Sequence, residues 1–393
     1  MAFADYFPES WGSIAIDRHS PETLAQLDYV VELELKNKAL AAETAAVIPA
    51  ERLAPVHPSP LARNWRTTSK RRVSCRGREV FLHMGRKPGK EKVFLSPLEP
   101  DIHNRIYAFV HKMLVSCCRK LAPVMNYCII RGSYQEHGVI FNMRELSGDV
   151  VRHLRTLSNR LTADFPAVKS TFIYLDETGS DYYLESERPQ GKVSFKKICG
   201  SDFLALKLCG KKILYSPAVF SQINESILED FRNVLTAEMA LDDKTTLIDL
   251  YCGYGLWSLI CGENAGKVWG GELSAAAVAD AVRNSGFHFK GRNFHYEALS
   301  INQETLRRRL PALQGREIVL LDPPRNGCAP GILETVISRR PEKILIMFCG
   351  ADEIVPALKI CLANGCRVEK LLPFDFFPGT VNVETLAVLT PPV

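Results

Sequence analysis

From about residue 206 onward the sequence settles into a rhythm of short apolar runs separated by helical stretches, which leaves few folds open to this half of the chain. TTLIDLYCG, VWGGEL, EIVLLDPP, KILIMFCG, CRVEKLLPFDFFP and VETLAVLT read as strands. A helix starting near Trp257 follows the first, and SAAAVADAVRNSG, N-capped by Ser274 and closed at Gly286, follows the second. Strands that are apolar throughout are buried on both faces, and strands joined through helices run parallel with helices over each face. The expected class is α/β with a mostly parallel sheet.

The remainder reads as α+β. Residues 20–47 predict a helix with Ser20 as N-cap and Pro21 in its first turn, and Pro55, Pro58 and Pro60 mark a linker. Residues 64–95 alternate in short runs with turns at Gly77 and Lys87-Pro88-Gly89, the pattern of β-hairpins. A helix at 99–120, a strand pair at 124–143, a helix at 146–163 and strands at TFIYLD, DYYLES, FLALKLCG and KKILYS complete this portion. The expected division is an N-terminal helical segment over 1–55, an α+β domain over 56–205 and an α/β domain over 206–393.

Charge distinguishes the middle portion. The net charge is +5, yet residues 61–95 alone hold eleven Lys or Arg against Glu79 and Glu91, a local excess of +9. Such a concentration suits a polyanionic partner, although a solvated surface strand has the same composition. With 46% apolar and 24% charged residues, disorder, collagen and coiled coil are excluded as dominant states. No run of about 18 uncharged apolar residues is present, so a membrane-spanning helix is not expected. The first residues lack a secretory layout, the twelve cysteines include no C-x-x-C pair, and the expectation is an intracellular protein of unspecified compartment, with reduced thiols and no metal site.

Three features locate the chemistry. Asp249-Leu-Tyr-Cys-Gly-Tyr-Gly255 turns a strand into a helix, and Glu272 ends the next strand 23 residues after Asp249, where an acid can hold a ribose. The loop departs from G-x-G-x-x-G because Ser258 stands at the third glycine. Asp322-Pro-Pro-Arg325 follows a buried strand, with Arg325 where amino-group methylases carry an aromatic residue to stack a flipped base, which indicates another chemistry on a nucleobase.

These motifs, with Phe220-x-Gln222-x-Asn224, Cys349 and Phe377-Pro-x-Thr-x-x-x-Glu384 in the same order, resemble the RNA (uracil-5-)methyltransferases. Tyr29 in a helix and Arg63-Asn-Trp-Arg66 before basic strands are similar to the compact tRNA-type members, as is the lack of a four-cysteine iron–sulfur pattern. The resemblance implies a Rossmann-like class I S-adenosylmethionine-dependent methyltransferase domain beside an α+β RNA-binding domain. It implies cofactor contacts from Gln222, Tyr251, Gly253, Gly255, Glu272 and Asp322, with Cys349 as nucleophile and Glu384 as general base. Arg63, Arg66, Arg71, Arg72, Arg76 and Arg325 would meet RNA, tRNA foremost and rRNA as the other candidate; a monomer without membrane attachment is expected. Chemistry supports the two catalytic roles: uracil C5 is a poor nucleophile until a thiolate adds at C6, and a base must then remove the C5 proton. The family pattern Ser-Cys-Asn-Pro is Phe348-Cys349-Gly350-Ala351 in this chain, a loop Asn is Leu256 and a His is Asn382. These departures sustain a rival reading, a catalytically silent relative that binds RNA or helps assemble a ribonucleoprotein.

Overall fold

The computed structural model describes residues 3–11, 13–16, 22–85, 87–177, 194–312 and 315–392. The chain divides into two compact units, one of Met1–Ala62, Leu208–Ile213 and Ser226–Val393, the other of Arg63–Lys207 and Leu214–Glu225. Residues 1–55, expected as a segment of their own, thus fall in the unit that holds the α/β sheet.

That sheet has seven strands in the order Phe294–Ala298, Lys267–Glu272, Thr245–Leu250, Arg316–Leu321, Lys343–Phe348, Glu384–Thr390, Arg367–Phe374. The first five run parallel and the last two join antiparallel. Strand order reverses on either side of Thr245–Leu250, so the crevice at the carboxyl ends of the strands opens there. The α/β expectation holds, and each apolar run named above is a strand. Phe294–Ala298 is an addition, an edge strand whose FHYEA sequence is too polar to stand out.

Local chemistry explains the helix ends. Ser274 Oγ accepts from Ala277 N as predicted, but the helix Ala275–His288 continues through Gly286. The first helix is shorter than expected, Tyr29–Thr44, with Asp28 accepting from Val30 N. Leu24 and Leu27 are buried in turns ahead of it, and Leu24 N donates to Gly379 O, so this stretch is committed to tertiary contacts instead of helix. Ser20 and Pro21 lie outside the described residues, as does DYYLES.

The first helix also carries Lys36, fully buried. Its Nζ donates to Glu32 Oε1 at 2.6 Å, Asp375 Oδ1 at 2.8 Å and Phe377 O at 3.3 Å, while Gly379 N donates to Glu32 Oε1 at 2.6 Å. An ammonium enclosed in this way is tolerable because carboxylates and a carbonyl replace its water. The cluster fixes the turn at 375–379 that leads into the Glu384–Thr390 strand.

The second unit is a six-stranded sheet in the order Glu79–His83, Ser69–Arg76, Met125–Gly132, His137–Met143, Val168–Leu175, Ser194–Gly200. All pairs are antiparallel except His137–Met143 with Val168–Leu175, a parallel pair that needs the crossover helix Gly148–Asp164 between them. Ile106, Val110 and Leu114 of the helix Asp101–Val115 share an apolar core with Leu154, Leu157 and Leu161.

Candidate active site and basic surface

Sheet register assembles the site. Leu250 pairs with both Gly271 and Leu321, and Leu321 pairs with Ile346, so the residues that end these strands share one edge. Tyr251, Glu272, Asp322 and Cys349 therefore emerge together. The last strand runs the other way, and Phe348 pairs with Thr385, so Cys349 falls opposite Glu384. Sequence positions 35 residues apart become cross-strand neighbours only because of the antiparallel closing strand.

The glycine loop is tightly specified. Tyr251, Gly253 and Gly255 all have positive φ (62°, 54° and 79°). A Cβ on Gly255 would lie 3.1 Å from Ala281 Cβ and 3.2 Å from Tyr296 Oη, so this position needs glycine for space as well as conformation. Glu272 Oε2 accepts from Gly253 N at 3.1 Å and Oε1 from Ser274 N at 2.8 Å, which ties the loop to the tip of the next strand. Asp322 accepts from Trp257 Nε1 at 3.0 Å and its N donates to Leu250 O at 3.2 Å. Trp257, whose indole comes from the first turn of the Leu256–Cys261 helix, is a site residue that its motif did not disclose.

Three carboxylates crowd this edge. Asp249 is fully buried, with Ser258 as the donor acting on its carboxylate. Burial pushes its carboxyl up to about 7, with the charges of Asp322 and Glu272 adding to the rise and Ser258 opposing it. Burial likewise lifts Asp322 to about 6, against the Trp257 hydrogen bond and with Glu272 adding. A cluster of acids beside a glycine cradle fits a ligand with positive charge and ribose hydroxyls, the polar groups of S-adenosylmethionine.

Cys349 is partly buried and its Sγ donates to Pro323 O at 3.7 Å. Burial pushes its thiol well up, the charges of Glu384, Asp322 and Glu353 add to this, and Arg325 opposes them. Glu384 is buried, its Oε2 has no partner, and burial followed by the charge of Asp322 holds its carboxyl well above the usual range, again against Arg325. Arg325 is exposed, so a cation stands at the mouth of an otherwise acidic site. The Phe377–Thr380 turn approaching Glu384 is closed by Thr380 Oγ1 donating to Phe377 O at 2.9 Å. Gln222 is buried in the other unit.

The basic segment forms the hairpin Ser69–Arg76 and Glu79–His83 around Gly77. Alternation along the first strand sends Ser69, Arg71 and Val73 inward and Lys70, Arg72 and Ser74 to the other face. Arg71 therefore corrects the expectation of a phosphate contact. It is fully buried, grips Glu99 through Nη1 at 2.8 Å and Nη2 at 2.7 Å, donates to Phe94 O, and stacks on Tyr107 at 4.3 Å. Its neighbours rest on aromatic supports, with Lys70, Arg72 and Arg66 half-buried, Arg76 exposed, and Lys92 exposed and paired with Glu79. Lys70 and Arg72 lie over Tyr127 at 5.8 and 5.6 Å, Arg76 and Lys92 over Phe81 at 5.6 and 4.3 Å, and Arg66 over Trp65 at 5.3 Å. Trp65 is itself fully buried, a core residue, and Arg63 is half-buried at the start of this unit.

Comparison with known proteins agrees with this layout. The family described as tRNA (Uracil-5-)-methyltransferase matches residues 190–391. A protein of Streptococcus mutans described as an uncharacterized RNA methyltransferase is 26% identical over 266 residues, covering 68% of this chain and 56% of that protein. One of Thermotoga maritima with the same description is 29% identical over 196 residues, covering 50% of this chain and 43% of that protein. The chain thus spans about half the length of the curated relatives it matches. The crystal structure of the Pyrococcus abyssi tRNA (uracil-54, C5)-methyltransferase in complex with S-adenosyl-L-homocysteine superposes with a TM-score of 0.71 at 18% identity, over 96% of this chain and 88% of that one, which establishes the shared fold. With half the chain matched and the glycine loop, the acids, Cys349 and Glu384 gathered on one sheet edge, the chain belongs to the tRNA (uracil-5-)-methyltransferase family.

Proposed function

We propose that this chain methylates C5 of uridine in RNA, with tRNA as the substrate class, through a covalent link from Cys349. The observation that carries the proposal is the register that sets Cys349 opposite Glu384, on the edge where Asp249, Glu272 and Asp322 point their carboxylates. Glu272 would take the ribose hydroxyls of S-adenosylmethionine, and Asp249 and Asp322 would balance its positive charge. Bound there, S-adenosylmethionine supplies an electrophilic methyl group, taken up at C5. Cys349 Sγ adds to C6 and turns C5 into an enolate carbon; Glu384 then takes the C5 proton, the ring double bond re-forms and the thiolate leaves. Arg325 suits a phosphate or the developing enolate oxygen, and the outward arginines of the hairpin suit the RNA backbone.

The test uses purified protein, an unmodified tRNA transcript and S-adenosylmethionine, with nucleosides read by mass spectrometry. 5-Methyluridine is expected, and a transcript carrying 5-fluorouridine should become trapped on the protein, because fluorine leaves Glu384 no proton to take. Trapping should vanish in Cys349→Ala. In Glu384→Gln, the ordinary transcript should accumulate as the adduct. Protein that binds S-adenosyl-L-homocysteine and RNA yet forms neither product nor adduct would overturn the proposal in favour of an RNA-binding factor.

A further inference from the structure

The glycine loop lacks the Asn of the family pattern: position 256 is Leu256, buried in the fold. The next residue supplies a polar group in its place. Trp257 is 2% exposed and turns its indole toward the end of the Arg316–Leu321 strand, where Nε1 donates to Asp322 Oδ2 at 3.0 Å. An indole nitrogen donates and does not accept, so this bond favours Asp322 as a carboxylate over the neutral acid.

Packing fixes the direction of that N–H. The Trp257 ring lies 4.8 Å from Phe231 of the helix Leu228–Met239, inclined at 54°. Phe231 in turn meets Phe374 at 5.0 Å and Phe376 at 5.4 Å, both edge-on. Phe374 is the cross-strand partner of Glu384, so the aromatic cluster behind the indole is anchored in the closing pair of strands. A large flat ring backed in this way keeps one orientation. It takes Asp322 through Oδ2, and Asp322 is only half-buried, so its other oxygen is left for a ligand.

We propose that Trp257 is the positioning residue that keeps Asp322 ionised and aimed at S-adenosylmethionine, in place of the missing loop Asn. The inference rests on S-adenosylmethionine binding at this sheet edge. Asp322 needs such a donor, because burial raises its carboxyl to about 6 and Glu272 adds to the rise, while the Trp257 bond opposes it. The other titratable groups that face Asp322 are Asp249 at the end of the neighbouring strand, Cys349 and Glu384, and Arg325 acts on the last two. Attraction for the sulfonium is present while Asp322 is ionised and is lost as pH falls through its pKa. Removing the donor must therefore move that loss to higher pH.

The experiment measures S-adenosylmethionine binding to the full chain by calorimetry between pH 5 and 8, in wild type, Trp257→Phe, Asp322→Ala and the double variant. Wild-type affinity should fall as pH drops through about 6. In Trp257→Phe that midpoint should rise by about one unit, since two or three hydrogen bonds take a carboxyl from about 4 to below 2. In the Asp322→Ala background, where Asp249 still titrates, Trp257→Phe should leave the profile where it was. An unmoved midpoint in Trp257→Phe would overturn the inference. So would an equal shift in the Asp322→Ala background, which would mean that Trp257 acts through packing alone. A second measurement needs no variant: in wild type labelled at tryptophan, one of the four indole N–H resonances should move with a midpoint near pH 6, and four static resonances would also count against the inference. Wild-type protein that binds no S-adenosylmethionine, or binding that Glu272→Ala and Asp322→Ala leave unchanged, would instead overturn the placement of the cofactor on which the inference stands.

Discussion

Asp249→Asn offers a direct measure of how the ligand edge is held ready. In the unfolded chain this carboxyl ionises near its ordinary value of 3.8; in the fold, burial holds the proton until about 7. Its folded pKa is raised, so the stability it contributes is complete below 3.8 and is lost as pH rises toward 7, where the folded protein must ionise a fully buried carboxyl. Each pKa unit corresponds to about 1.4 kcal/mol. Two of those units lie between pH 5 and 7, so from pH 5 to pH 8 the wild type should lose about 3 kcal/mol relative to the Asn variant, whose amide does not titrate. Glu384 titrates in both proteins and cancels in the difference, and the repulsion from Asp322 is already part of the rise of Asp249 to about 7. The assay is thermal unfolding of ligand-free protein at both pH values. At roughly 2–4 °C per kcal/mol the gap between variant and wild type should widen by about 5–10 °C in favour of the variant at pH 8. A gap of the same size at both pH values would refute the claim that Asp249 is buried as a protonated acid.

Glu272→Ala should weaken S-adenosyl-L-homocysteine by about 10–100-fold in calorimetry, since charge-assisted hydrogen bonds contribute about 1.5–3 kcal/mol and the loop loses its tie to Gly253 N. Replacing Arg72, Arg76 and Lys92 together by Ala should lower the slope of log affinity for tRNA against log salt by about 2; an unchanged slope in filter binding would make the hairpin an ordinary solvated face. Arg71→Ala should instead destabilise the fold by about 3–5 kcal/mol in urea unfolding, because Glu99 would be left as a buried, unpaired charge.

Periodicity and motif residues carried the reading of the α/β unit because its strands are buried on both faces and so read as unbroken apolar runs. Polar edge strands such as Phe294–Ala298 have no such signature. The same limit applies to Arg71. A dense basic run signals affinity for phosphate, but a strand's two-residue period divides that run between surface and interior, and only the partner Glu99, 28 residues away, shows which face is which. Cys349 and Glu384 were legible as residue types in motifs, whereas their opposition depends on an antiparallel closing strand that composition does not encode. Trp257 has no distinctive spacing of its own, and only its contact with Asp322 brings it to the site.

The cluster around Lys36 bears on the order in which the chain can be completed. A ribosome releases Lys36 long before Asp375, so during most of synthesis the helix Tyr29–Thr44 has Glu32 within reach but not the carboxylate and carbonyl that allow its ammonium to leave water. Two segments 339 residues apart must meet before that pocket can close, an entropically costly closure whose stabilising contacts arrive only with the 375–379 turn. A polypeptide interrupted anywhere before residue 375 thus keeps its first helix unseated and the approach to position 384 absent. Seating of the first helix and ordering of the turn that leads to Glu384 therefore belong to one event, so a change at Lys36 is felt on the approach to position 384.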